Sequence, residues 1–122
     1  MEVSLPRLGE DKKRELAMGL TDAYAGVTGL DRGRIGIRFQ ESGAGETAYA
    51  GELDTGGGAV RPYVHVVLYC PVQPRERKQD IVRQITAALH AVLDHPGCRP
   101  VIHIQEHLLD NVGVNGDLLS DR

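Results

Sequence analysis

Two periodicities alternate along this chain, and their order predicts its elements. Leu16, Leu20, Ala23 and Val27 recur at three- and four-residue intervals, the spacing that puts apolar side chains on one face of a helix. The segment Arg34–Gln40 then alternates polar and apolar residues, the period of a strand with one buried face. Further on, Tyr63–Tyr69 is rich in β-branched and aromatic residues and lies between proline-bearing segments, which again predicts a strand. Pro74 opens a second helix, on which Ile81, Ile85, Ala88, Leu89 and Val92 form one apolar stripe. Pro96-Gly97 ends it, and Val101–Gln105 is the strand that follows.

The second stretch repeats the first. A displacement of 65 positions brings Pro6 onto Pro71, Lys13 onto Lys78, Thr21 onto Thr86, Arg34 onto Arg99 and Ile37 onto Ile102 without a gap. It also brings Gln40-Glu41 onto Gln105-Glu106 and Gly51-Glu52-Leu53 onto Gly116-Asp117-Leu118. Each copy reads as strand, helix, strand and a short hairpin arm. Two strands joined by a long helix lie parallel with a right-handed crossover. Two such units predict an α+β fold: a four-stranded mixed sheet with both helices on one face. The expected organisation is one domain, with repeat one at residues 1–57, a linker at 58–61 and repeat two at 62–122. Val64–Leu68 is apolar at nearly every position, so both faces of the sheet are expected to be buried. The helices cover only one, which calls for a partner subunit on the other.

Composition narrows the function. A chain of 122 residues, 41% apolar and 25% charged, is an ordinary globular domain with a single core. Its net charge of -3 lacks the concentrated basic surface that DNA or RNA requires, so no nucleic-acid partner is expected. The first residues lack a basic region and an apolar run, so neither a signal peptide nor a membrane association is expected and a cytoplasmic location is. Cys70 and Cys98 have no metal-ribbon spacing and read as free thiols. With one Phe and no Trp, the small aliphatic core is expected to gain burial by oligomerisation.

The run Pro62-Tyr63-Val64-His65-Val66-Val67-Leu68, then Arg75-Glu76-Arg77-Lys78-Gln79, Val101-Ile102-His103-Ile104-Gln105-Glu106 and Gly113-Val114-Asn115-Gly116-Asp117-Leu118 resemble, in order and spacing, the 4-oxalocrotonate tautomerase pattern. The duplicated length, with Leu20–Gly29 and Phe39-Gln40-Glu41, looks more like the cis-3-chloroacrylic acid dehalogenase branch of that tautomerase superfamily. The resemblance implies a β-α-β repeat fold, a homotrimer, a small carboxylate-bearing substrate and no cofactor. It also implies an N-terminal proline whose secondary amine moves a proton, with arginines holding the carboxylate. This chain departs from that pattern. Residue two is Glu2, and the repeat sets Pro62 against a position four residues before Met1, so copy one is expected to be short at its start. A native start upstream of Met1 is a further reading. Pro62 carries no free amine and reads as a strand opener.

At the family's other site positions stand Cys70 and Gln73 for two arginines, Tyr24 for a helix histidine, His103 for a strand tyrosine and Val114 for the water-activating glutamate. Hydrolytic dehalogenation is therefore not expected. The candidates that remain are Met1, whose α-amine offers a primary amine, Tyr24 and His103 for proton transfer, and Arg34, Cys70 and Gln73 for holding a substrate. Each has a structural alternative: a strand histidine that only hydrogen-bonds, a thiol that packs as a small hydrophobe, a solvated arginine. His103-Ile104-Gln105-Glu106-His107 spells the inverted zinc-protease signature, but on a strand residues four apart stand about 13 Å from each other and cannot share a metal. No metal is expected. Two functions follow: an atypical tautomerase or isomerase without the proline, acting on a small unsaturated or keto acid, or a catalytically inactive trimeric binding or structural homologue.

Overall fold

The elements of the first half recur in the second at the displacement read from the sequence. The computed structural model describes residues 1–122. Strand β1 (Glu2–Pro6), helix α1 (Glu10–Thr28), strand β2 (Arg38–Ser42) and the hairpin β3 (Ala48–Tyr49) and β4 (Glu52–Leu53) make the first set. Strand β5 (His65–Pro71), helix α2 (Arg75–Val92), strand β6 (Val101–His107) and the hairpin β7 (Gly113–Val114) and β8 (Asp117–Leu118) make the second. The four long strands form one sheet in the order β2-β1-β5-β6, parallel within each unit and antiparallel where β1 meets β5. The sheet is mixed, as expected, and both helices lie on one of its faces.

Alternation along the strands sets the core. Val3, Leu5, Val64, Val66, Leu68 and Cys70 point to the helices and are buried, and Leu16, Leu20 and Tyr24 of α1 meet Ile81, Ile85 and Leu89 of α2 above them. Burying one such aliphatic side chain contributes about 1.5–3 kcal/mol. The helices approach closely where Gly19 faces Ala88: a Cβ placed on Gly19 would lie 3.6 Å from the alanine methyl. Helix α1 stops at Gly29, whose φ of 72° lets its N–H reach the carbonyl of Ala25 at 2.8 Å.

One polar device occurs twice. The Glu41 carboxylate accepts from the Lys13 ammonium and from the Leu8 N–H at 2.7 Å. Its counterpart Glu106 accepts from the Gln73 N–H at 2.6 Å and from Lys78 Nζ at 3.0 Å. Each ties the entrance of a helix to the end of the strand that follows it.

Boundaries differ from those expected. The first-unit strand begins at Arg38 instead of Arg34, because β1 pairs with it only from Glu2↔Arg38 onward. Upstream of that, Asp31 accepts from the Gly33 N–H and Arg32–Arg34 winds into a single turn of 3-10 helix. In the second unit β5 covers His65–Pro71 rather than Tyr63–Tyr69, and β6 runs two residues past Gln105. Helix α2 ends at Val92, well before Pro96. The apolar stripe of α1 passes over Tyr24, which is buried where Ala23 and Val27 are half-buried. No helix is long and apolar enough to cross a membrane.

The face of the sheet away from the helices is open in the single chain. On β5 it presents His65 and Val67, half-buried, and Tyr69, exposed, between the fully buried Val66, Leu68 and Cys70. A line of rings runs across it, from Tyr49 to Tyr63 at 5.8 Å, to His65 at 6.1 Å and to the edge of His103 at 4.7 Å.

Candidate functional site

A cleft of about 890 Å³ opens where β1 starts and β5 continues past it. The pairing of β1 with β5 reaches only Glu2↔Val67, so the last residues of β5 have no strand on that side. The space is closed instead by the chain around Gly33–Gly36, by the end of β6 and by the C-terminal segment. Met1, Tyr24 and Arg34 all line it, three of the six site candidates read from the sequence.

Met1 is held by two backbone contacts. Its amine donates to the Gly36 carbonyl at 2.5 Å, and its own carbonyl accepts from the Arg38 N–H at 2.9 Å. Half-buried, the amine loses hydration, which pulls its pKa below the ordinary 8.0 and outweighs the opposing field of Glu2. Tyr24 comes from the last turns of α1, is buried, and borders the cleft with its hydroxyl beside the Cys70 thiol. Burial, and then the neighbouring Cys70 thiol, push its phenol up to about 12. It therefore stays protonated at neutral pH and can donate a hydrogen bond. Arg34 is exposed at the end of its 3-10 turn, and none of the ion pairs in the chain involves it.

The other three candidates lie apart from the lining. Cys70 is buried on the helix side of β5, and burial, with the Glu106 charge, raises its thiol pKa, so it stays protonated. Gln73 spends its backbone N–H on Glu106 and its side-chain carbonyl on Arg77, at 3.1 Å. His103 stands exposed on the open face of the sheet, edge-on to His65. Pro62 is buried near the 95–97 turn, where a Cβ on Gly97 would come within 3.9 Å of its ring. His103 and His107 lie on one strand, and no three His, Cys, Asp or Glu side chains gather closely enough to hold a metal ion.

The cleft contains two residues that sequence reading did not single out for it, His107 and Arg122. Arg122 reaches it from the chain end, where it donates to the Val114 carbonyl at 2.9 Å. With Met1 and Arg34 they make the polar content entirely cationic or neutral, because no Asp or Glu lines the space. The walls are apolar, from Leu30, Ile35, Leu68, Val112 and Leu119. Such a site suits an anion with an apolar body. The repeat supplies an internal comparison. A hollow of about 470 Å³ occurs at the equivalent place in the other unit, with Ser4, Ser42 and Thr47 where the cleft has Tyr69, His107 and Val112, and it is lined by Glu41 and Glu46. The two units have taken opposite electrostatic characters, and only one of them favours a carboxylate.

Comparison with known proteins gives a consistent picture. The family model described as Tautomerase enzyme matches residues 62–122, half of the chain. Among solved structures, a fused 4-OT wild-type asymmetric trimer shares 24% identity, covering 98% of this chain and 95% of that one, with a TM-score of 0.84. A native fused 4-OT shares 21% over the same fractions with a TM-score of 0.86. A member of the cis-3-chloroacrylic acid dehalogenase family shares 20% over 97% of this chain and 82% of that one, with a TM-score of 0.77. No curated protein sequence matches.

Proposed function

Because this chain belongs to the tautomerase family, we propose that its cleft performs proton transfer, of tautomerase or isomerase type, on a small unsaturated or keto carboxylic acid without the family's prolyl amine. The observation that carries this reading is the meeting of Met1, Tyr24 and Arg34 in one largely apolar cleft that no Asp or Glu side chain lines. Arg34 holds the substrate carboxylate by charge-assisted hydrogen bonds, with Arg122 adding to the positive field. The Met1 amine, with its pKa lowered by burial, is neutral in a larger fraction at physiological pH than an exposed amine; it takes the hydroxyl proton of the enol and delivers it to the carbon next to the carbonyl that forms. Tyr24, protonated, gives a hydrogen bond to the enolate oxygen that develops. With Val114 at the water-activating position and no Asp or Glu side chain in the lining, hydrolytic dehalogenation has no side-chain carboxylate here to activate water.

The open sheet face supports a homotrimer, since covering it buries Val67 and Tyr69, and similar solved structures are described as trimers. Two reduced cysteines suit a cytoplasmic protein. The test is ketonisation of phenylenolpyruvate followed by ultraviolet absorbance, on protein whose free α-amine has been verified by N-terminal sequencing. A rate above buffer that disappears on N-terminal acetylation is expected. Phenylpyruvate binding with no rate would instead favour the second reading, an inactive binding homologue; the observation behind that reading is that the Met1 amine is already engaged by Gly36.

A further inference from the structure

We propose that His107 is a substrate-contacting residue of the cleft, donating a hydrogen bond from Nε2 to an oxygen of the bound carboxylate; this rests on the carboxylate-binding reading above. Three observations meet on this side chain. It lies at the end of β6 and lines the cleft beside Tyr69 and Pro71. Its Nε2 is buried and has no hydrogen-bond partner, the one buried side-chain nitrogen or oxygen in the chain so placed. A buried polar atom left unpaired is costly, by about 1–3 kcal/mol, and persists where something outside the chain pairs with it.

The third observation comes from the repeat. The equivalent residue in the first unit is Ser42, whose hydroxyl donates to the Leu5 carbonyl at 3.4 Å. There the polar group is satisfied within the fold. In the second unit the position carries a longer, flatter group that makes no such bond, and it does so in the hollow that collects positive charge. The chemistry of the ligand then settles the tautomer. Carboxylate and carbonyl oxygens only accept, so Nε2 must carry the hydrogen in the complex. His107 thus adds direction to a site in which Arg34 supplies charge: a planar donor aimed at one oxygen selects an acid with its second oxygen at a fixed place over one that merely carries a negative charge.

The experiment follows imidazole nitrogens by long-range proton–nitrogen NMR while phenylpyruvate is added to the whole protein. The His107 Nε2 resonance is expected to move at the same concentrations as the backbone amides of Tyr24 and Arg34. His107→Leu is expected to weaken binding about tenfold. His107→Gln, whose amide nitrogen takes the place of Nε2, is expected to recover most of the loss. Movement of the Tyr24 and Arg34 amides with a still His107 and unchanged affinity in His107→Leu would overturn the inference and leave the cleft reading standing. An Nε2–H whose proton and nitrogen shifts already show a hydrogen bond without ligand would also overturn it, since the fold or a neighbouring subunit then satisfies the atom. If phenylpyruvate moves none of these signals, both the inference and the reading beneath it fail. Should His107→Leu not fold, the wild-type nitrogen shift and His107→Gln decide the matter.

Discussion

Arg34 owes its position to a strand that starts late. Because β2 begins at Arg38, the chain before it turns through Arg32–Arg34 and leaves this guanidinium at the cleft rim without an acidic partner. Arg34→Ala is expected to weaken phenylpyruvate binding about 10- to 100-fold, the value of a charge-assisted hydrogen bond, with an unchanged circular dichroism spectrum; calorimetric titration measures it. The Met1 amine makes a pH prediction. Its pKa is lowered, so it becomes a competent base at a pH below the ordinary 8.0. Activity as kcat/KM is expected to rise with pH through that lowered value and to level off by about pH 8. No fall from Tyr24 should appear below pH 10, since its phenol titrates at about 12. A profile still climbing above pH 9 would remove the amine from the mechanism. Of these residues, the resemblance of the sequence to the family pattern pointed to Met1, Tyr24 and Arg34. His107 could not be found that way, because the signal is an unpaired nitrogen and pairing is a property of the fold.

The β-α-β unit is the scale at which the sequence speaks most directly. Helical and strand periods predicted both long helices and the strands flanking them, and the 65-residue displacement is followed element by element down to the turns Ala50-Gly51 and Asn115-Gly116. What periodicity could not supply was where pairing begins, since a strand ends where its neighbour's backbone ends. The duplicated carboxylates make a prediction at this scale. Hydrogen bonds hold Glu41 and Glu106 below the usual carboxylate range, from Lys13 and then Leu8 in the first and from Gln73 and then Lys78 in the second. A depressed folded pKa contributes stability that is present above the unfolded value, about 4.3, and is lost as pH falls through the folded value. Glu41→Gln and Glu106→Gln are each expected to lower the urea midpoint at pH 7 and to flatten its decline below pH 4. Equal midpoints for mutant and wild type at pH 7 would show that the clamps are mere surface contacts.

For the whole molecule, the decisive feature is the sheet face that the helices leave open. Light scattering after size exclusion is expected to give three times the 13.3 kDa chain mass. Val67→Lys, which sets a charge in the middle of that face, is expected to give a single chain mass and to lose activity along with assembly. A wild-type monomer would sink the trimer. By itself the sequence determined the repeat, the two β-α-β units and the side of each element that is buried, because periodicity, duplication and residue identity are read directly along the chain. Tertiary structure decided which of the altered positions face one another. It gathered Met1, Tyr24 and Arg34, turned Cys70 into the core and His103 onto the open face, and added His107 and Arg122 from far along the chain. Those outcomes depend on strand register and on the path of the C-terminal segment, since one step of register turns a strand residue to the opposite face.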